Sequence, residues 1–120
     1  MLIRSQDKEM IINMAATNHI YVREVYRPSG SLIDISSDEM RLGYYSTKEK
    51  AIKVLDMIQG AYANFEASKI VSTGLAGATY ARSYDTPESV AGGIKVLKEY
   101  IEMIRESAVF QMPEDSEVEA

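Results

Sequence analysis

The chain has 120 residues, of which 46% are hydrophobic and 26% are charged, with no cysteine and a formal net charge of −5. This size and composition predict a single globular domain and argue against disorder. No apolar run approaches the ~20 residues of a membrane-spanning helix, and the lack of cysteine excludes disulfides and thiol chemistry. The N-terminus has no apolar h-region, so we expect no signal peptide and a cytoplasmic protein.

The negative charge is concentrated at the C-terminus. The last seven residues carry four acidic side chains: Glu114, Asp115, Glu117 and Glu119. The rest of the chain is near neutrality, whereas a domain that binds duplex nucleic acid normally carries a positive excess. We therefore expect no long nucleic acid as a partner, while a small anionic ligand remains open. The charge distribution predicts a disordered acidic tail over 114–120, and the strand and helix patterns described below predict a single α+β domain over 1–113.

Residues 2–45 predict an antiparallel meander of four to five strands. The candidate strands lie at 2–4, 10–15, 20–26, 31–35 and 40–45, with polar turns between them, and apolar residues alternate at 20–26 and 40–45. In the third turn, Pro28 presets φ and Gly30 closes the turn. One face of such a sheet needs a cover, which the second half of the chain supplies as helices.

A change of period after Tyr45 predicts the start of the first helix. Ser46 and Glu49 fit an S-x-x-E capping box, in which each side chain accepts from the other residue's amide. Apolar residues then recur at 51, 55, 58, 62 and 65, along one helix face. We expect this helix to run to about Val71 and to be followed by a loop of about 14 residues over 72–85.

A second helix is predicted from Thr86 and Pro87 to about Ser107, because threonine suits an N-cap and proline the first helical position. It carries two apolar stripes, one at 90, 94, 97, 101 and 104, the other at 96, 100 and 103. Covering a sheet needs one stripe, so the second predicts packing on the first helix or on another subunit. A short strand is predicted over 109–112. We therefore expect an α+β fold, in which an antiparallel sheet of four to five strands is followed by two long α-helices. We also expect the chain to assemble as a homodimer or higher homo-oligomer.

The sequence contains no constellation of residues that predicts catalysis. His19 is the one histidine and lies in a turn, and no H-E-x-x-H, G-x-S-x-G or Walker-type motif occurs. We expect a non-enzymatic protein that uses no metal and no cofactor.

The residues that could bind a ligand are Tyr80, Arg82 and Tyr84 in the predicted loop, with Arg105 and Phe110 near the end of the second helix. Aromatic rings can stack a base, and a guanidinium matches a phosphate. The alternative is that the tyrosines fasten the loop to the core and Arg82 lies in solvent. A helix of 20 residues spans about 30 Å, so Arg105 would reach Tyr80 through an antiparallel neighbouring subunit.

Four segments resemble a family of small phage and Firmicute proteins: IRSQDK at 3–8, LGYYSTKEKA at 42–51, VLDMIQ at 54–59 and FQMPE at 110–114. The order of elements is similar to that of the phage Thoeris anti-defence sponges. Those proteins sequester glycocyclic ADP-ribose, and some also hold cyclic oligonucleotides, without hydrolysing them. The resemblance implies a phage protein that blocks defence signalling in the host cytoplasm.

The resemblance also implies a position for the ligand. In the sponges the signal lies between the inter-helix loop and the segment after the last helix, which correspond to 80–86 and 107–113 here. The aromatic role falls on Tyr80 or Tyr84. The sponges' terminal segment supplies arginines, whereas 107–113 contains none and Arg105 is the nearest substitute. The alternative function is a structural or regulatory phage protein that binds another protein through its helical face.

Overall fold

A computed structural model describes the backbone of residues 1–38, 40–81 and 87–119, with all their side chains except those at 72, 73, 75–81, 87–91, 93, 97 and 100. The strands are β1 Leu2–Arg4, β2 Ile11–Asn13, β3 Ile20–Arg27, β4 Gly30–Ser37, β5 Met40–Tyr45 and β6 Val109–Gln111. The helices are α1 Lys48–Ala81 and α2 Pro87–Ser107, with 3-10 turns at Met14–Ala16 and Asp115–Glu117. The fold is α+β, as predicted. It divides into two compact units, Met1–Ala61 with Val109–Ala120, and Tyr62–Ala108.

The strands form two three-stranded sheets, so the prediction of one antiparallel sheet is wrong. The first sheet has the order β2-β1-β6, with β1 antiparallel to β2 and parallel to β6. The second is the antiparallel meander β3-β4-β5. The 3-10 turn separates β2 from β3, and Asn13 stabilises it by accepting from the amide of Ala15 at 3.0 Å. The first sheet is therefore completed by β6, from the far end of the chain, and β3 belongs to the second sheet.

The β3–β4 hairpin follows the predicted turn. Arg27 pairs with Gly30, which leaves Pro28 and Ser29 as a two-residue loop. Gly30 has a φ of +125°, a conformation that side-chain-bearing residues rarely adopt. The β4–β5 pairing contains a register shift between Ile35 and Ser36.

Helix α1 begins at Lys48, and its N-cap is Thr47, so the predicted Ser46–Glu49 capping box is wrong. The Thr47 hydroxyl accepts from the amide of Lys50 at 3.1 Å. The amide of Ser46 donates to the Asp115 carboxylate at 2.7 Å, so a residue from the C-terminal segment replaces Glu49.

The core of the first unit lies between the sheets, the start of α1 and the C-terminal segment. The predicted helix positions Ala51 and Ile58 are buried, Leu55 is partly buried, and Val54 joins them. The buried core residues are Ile3, Ile35, Leu42, Tyr45, Ala51, Val54, Ile58, Met112 and Val118. The predicted periodicity of this part of α1 is therefore confirmed.

Helix α1 continues to Ala81, so the prediction of a loop is wrong for residues 72–81, and 82–86 lie outside the described residues. Three alanines and Leu75 favour the helix here, and the glycines cost only about 1 kcal/mol each relative to alanine. Helix α2 starts at Pro87 and ends at Ser107, as predicted. None of the described helices has the length and apolar character needed to cross a bilayer.

The C-terminal segment makes specific contacts with the rest of the first unit, which differs from the disorder predicted over 114–120. Val118 is 4% exposed and belongs to the core. Asp115 accepts from Lys50 Nζ at 3.4 Å as well as from Ser46. The ammonium group of Lys53 donates to the carbonyl of Glu119. The burial of Val118 and the contacts with Lys50 and Lys53 therefore hold this segment in place, although its composition is typical of a solvated tail.

Candidate functional site

The five residues predicted to form a site are not brought together by any described contact. The backbone of Tyr80 belongs to α1, but its side chain lies outside the described residues, as do Arg82 and Tyr84. Arg105 is exposed and pairs with Glu102 at 3.1 Å. Phe110 lies opposite Ile3 in the β6–β1 pairing and packs half-buried against the core of the first unit. The five-residue site therefore stays a prediction.

Polar side chains converge instead on the face of the second sheet that points away from Ile35. The strand register places Arg23 opposite Asp34 and Asp34 opposite Tyr44, so the three share one face. Arg27 on β3 and Arg41 on β5 reach the same group. We call Arg23, Arg27, Arg41, Asp34 and Tyr44 the arginine cluster.

Asp34 is the centre of the arginine cluster, and its side chain is 0% exposed. One carboxylate oxygen accepts from Arg23 Nε at 3.3 Å and from the Ser36 hydroxyl at 3.0 Å. The other accepts from Arg23 Nη2 at 3.0 Å and forms an ion pair with Arg41 Nε at 3.1 Å. A buried carboxylate is costly unless it is paired, and these three hydrogen bonds and the ion pair with Arg41 satisfy it. Asp34 thereby fixes two guanidinium groups in position.

Tyr44 joins the remaining arginine to the cluster. Its hydroxyl accepts from Arg27 Nη2 at 2.9 Å and from Arg41 Nη1. The guanidinium carbons lie 5.5 Å (Arg27) and 5.0 Å (Arg41) from the Tyr44 ring centroid, within cation–π range. The ring and the hydroxyl of Tyr44 thus attract both guanidinium groups.

The arginine cluster is strongly cationic although the chain is acidic. The cluster holds three guanidinium groups and one carboxylate, so two positive charges are in excess. The hydrogen bonds that Arg23 donates to Asp34, and their mutual attraction, raise the pKa of Arg23. The side chains of Arg23 and Arg41 are 40% and 39% exposed, respectively. The cluster therefore presents fixed, solvent-accessible positive charge, which is the chemistry of an anion-binding surface.

A cleft of about 270 Å³ adjoins the cluster, lined by Gln6, Asp7, Arg41, Leu42, Gly43 and Tyr44. The Gln6 amide accepts from the backbone N–H of Tyr44 at 2.9 Å and donates to its carbonyl at 3.1 Å, as a neighbouring strand would. Gly43 permits this approach, since a Cβ there would lie 3.2 Å from the Cβ of Gln6. Gln6 thus fixes the edge strand that carries Arg41 and Tyr44.

Asp7 supplies a negative group at the rim of this cleft. The hydroxyl of Ser5 donates to its carboxylate at 2.5 Å, and the amide of Glu9 donates at 2.9 Å. These bonds hold the pKa of Asp7 below its ordinary value. An acceptor for the amino or hydroxyl groups of a ligand therefore lies next to the cationic cluster.

The sequence contained one signal for this cluster. A two-residue loop between Arg27 and Gly30 fixes the hairpin register, and that register places Arg23 opposite Asp34. Arg41 could not be placed in this way, because the register shift at Ile35 and Ser36 moves it relative to β4.

Comparisons with protein-family models, with curated proteins and with solved structures found no match. No group of three or more histidine or acidic side chains among the described residues could hold a metal ion. The geometry of the arginine cluster is therefore the main evidence on what the described part of the molecule can bind.

Proposed function

We propose that this protein binds and sequesters a small nucleotide-derived signal without turning it over, and that the arginine cluster holds the signal's phosphate groups. The signal is glycocyclic ADP-ribose or a cyclic oligonucleotide, as the resemblance to the anti-defence sponges implies, and the protein acts in the host cytoplasm. The observation that carries the proposal is a buried aspartate that fixes two exposed arginines beside a third arginine and a tyrosine.

Pre-arranged arginines support this proposal on energetic grounds. A guanidinium that is already fixed loses less conformational entropy when it binds a phosphate, and each charge-assisted hydrogen bond contributes about 1.5–3 kcal/mol. Arg23 uses Nε and Nη2 on Asp34, and Nη1 makes no hydrogen bond to any described residue. Guanidinium groups stay protonated near neutral pH, so they suit retention of a ligand better than proton transfer.

A second candidate is binding of another protein through the helical face. Helix α2 exposes four large apolar side chains, each at least 40% accessible: Ile94, Val96, Ile101 and Met103. The two candidates differ in what the purified protein carries. A sponge releases an intact nucleotide on heat denaturation, which mass spectrometry identifies, whereas a protein-binding module releases none.

Binding should depend on Arg27 and much less on Arg105. Both are exposed arginines, but Arg27 belongs to the cluster and makes no bond to Asp34, so Arg27→Gln leaves the central ion pairs in place. We expect Arg27→Gln to weaken binding by about ten- to a hundredfold, the effect of one lost charge-assisted bond. Isothermal titration with the released nucleotide measures the change, and the melting temperature should stay near that of the parent.

Arg105→Gln is the matched control, because Arg105 belongs to the site implied by the resemblance. Weaker binding in this variant alone would move the site to the helices and leave sequestration intact. Full binding by both variants, or the absence of any releasable nucleotide, would contradict the proposal.

A further inference from the structure

Two aromatic side chains at the start of β3 lie against each other. The ring centroids of His19 and Tyr21 are 5.1 Å apart, and the ring planes are inclined by 31°. His19 is exposed and Tyr21 is half-buried, so solvent reaches this part of the strand. We call these two residues the ring pair. Aromatic rings that are held together and open to solvent present a surface on which another planar group can stack.

The strand register places the ring pair on the same face of the second sheet as the arginine cluster. Tyr21 precedes Arg23 by two residues, and such residues of a strand share one face, with Cα atoms about 7 Å apart. Tyr21 also lies opposite Ser36, whose hydroxyl donates to Asp34 at 3.0 Å. Hydrogen bonds to Asp34 are the main cause of the raised pKa of Arg23, and Tyr21 makes a smaller electrostatic contribution. The ring pair and the cluster are therefore neighbours.

Two other rings of the second sheet are less suited to stacking a ligand of the cluster. The ring of Tyr44 already contacts the guanidinium groups of Arg27 and Arg41. Tyr26 also belongs to β3 and is 78% exposed, but its odd spacing from Arg23 places it on the opposite face. The ring pair thus combines access to solvent with a position beside the cluster.

We propose that the ring pair and the arginine cluster form one site, in which the rings stack the base of a nucleotide while the guanidinium groups hold its phosphate. This inference rests on the proposed function and adds the position of the base, which the resemblance assigns to Tyr80 or Tyr84. A sugar phosphate without a base can use only the arginines, whereas a nucleotide uses both parts of the face. The site should therefore favour nucleotides over sugar phosphates.

AMP and ribose 5-phosphate are the probes that test this preference, because they share the ribose and the phosphate and differ in the base. NMR titration measures the affinity of each, including weak binding. The parent protein should bind AMP about five- to a hundredfold more tightly than ribose 5-phosphate, which is the effect of one stacked base.

Tyr21→Leu should abolish the preference for AMP and leave the affinity for ribose 5-phosphate as in the parent. Unchanged binding of ribose 5-phosphate also shows that the second sheet is folded in this variant. Tyr21→Phe should keep the preference, because it retains the ring and loses only the hydroxyl. Tyr26→Leu is the matched control: it removes an exposed tyrosine from the opposite face of the same strand and should keep the preference.

His19→Ala is a second variant, which changes an exposed residue just before the strand and should reduce the preference without loss of stability. If Tyr21→Leu no longer binds ribose 5-phosphate, this variant decides, and an unchanged preference for AMP then overturns the proposal.

The proposal is also overturned if the parent binds neither probe, if it binds both equally, or if folded Tyr21→Leu still prefers AMP. The same holds if Tyr26→Leu loses the preference as fully as Tyr21→Leu. These outcomes are separate from the proposed function, which the titration of Arg27→Gln with the released nucleotide measures alone.

Discussion

Among individual residues, Asp34 has the largest consequences for both structure and proposed function. It is fully buried, and its carboxylate accepts from Arg23 and Ser36 and forms an ion pair with Arg41. Removing the charge would leave two guanidinium groups repelling each other across the strand pairing. The same carboxylate therefore stabilises the second sheet and sets the geometry of the candidate site.

We expect Asp34→Asn to lower the free energy of unfolding by about 1–3 kcal/mol, since the partly exposed arginines can recover some hydration. Asp38→Asn is the matched control: Asp38 is an exposed turn residue with a φ of 45°, which asparagine adopts readily. Urea denaturation measures both variants. Equal stability of Asp34→Asn and the parent would mean that the ion pairs contribute nothing to the fold.

Among the elements, the start of α1 depends on the C-terminal segment. The first amides of a helix have no partners within it and attract negative charge. Thr47 satisfies one of these amides, while Asp115 accepts from Ser46 just before the helix and lies close to Lys50. These bonds, above all the one from the amide of Ser46, lower the pKa of Asp115.

The contribution of Asp115 to stability should therefore depend on pH. Because the pKa is lower in the folded state, the stabilisation is complete above the unfolded value of about 3.9 and is lost as the pH falls through the folded value. Asp115→Asn should cost about 0.5 kcal/mol at pH 6, in the range of a helix–charge interaction. Urea denaturation of variant and parent should give a smaller difference at pH 3. A difference that is constant with pH would show that charge is not involved.

At the scale of the whole molecule, the last residues complete the core of the first unit. Val118 is buried, and the carbonyl of Pro113 accepts from the Tyr45 hydroxyl at 2.8 Å and from the Gln6 amide at 3.1 Å. The two ends of the chain thus contact each other directly, and both contact β5. Burial raises the pKa of Tyr45, with further contributions from Glu114, Asp115 and Glu117, so its hydroxyl remains a donor.

Truncation after Pro113 should lower the free energy of unfolding by about 2–4 kcal/mol, from the loss of a buried valine and the contacts of Asp115. Val118→Ser is the control that keeps length and charge, and it should reproduce most of the loss. Thermal and urea unfolding of the two variants measure this. A truncated chain as stable as the parent would instead fit the disordered tail that composition predicts.

The sequence by itself determined the parts of the structure that depend on neighbours along the chain. Proline and glycine set the β3–β4 turn, Pro87 begins α2, and the period of three and four from Ala51 places one face of α1 on the core. These features follow from local sterics and from the spacing of apolar residues, so they can be predicted without knowledge of the fold. The arginine opposite Asp34 could have been read from the same hairpin register.

Only the tertiary structure decided which distant residues meet. Ile3 pairs with Phe110, Ser46 donates to Asp115, and Gln6 completes the edge of β5 at Tyr44. The contact of Ser46 replaces a local partner that the sequence offered, Glu49. The choice depends on the packing of the whole first unit, because burial of Met112 and Val118 brings the C-terminal segment within reach of the strands and the helix start.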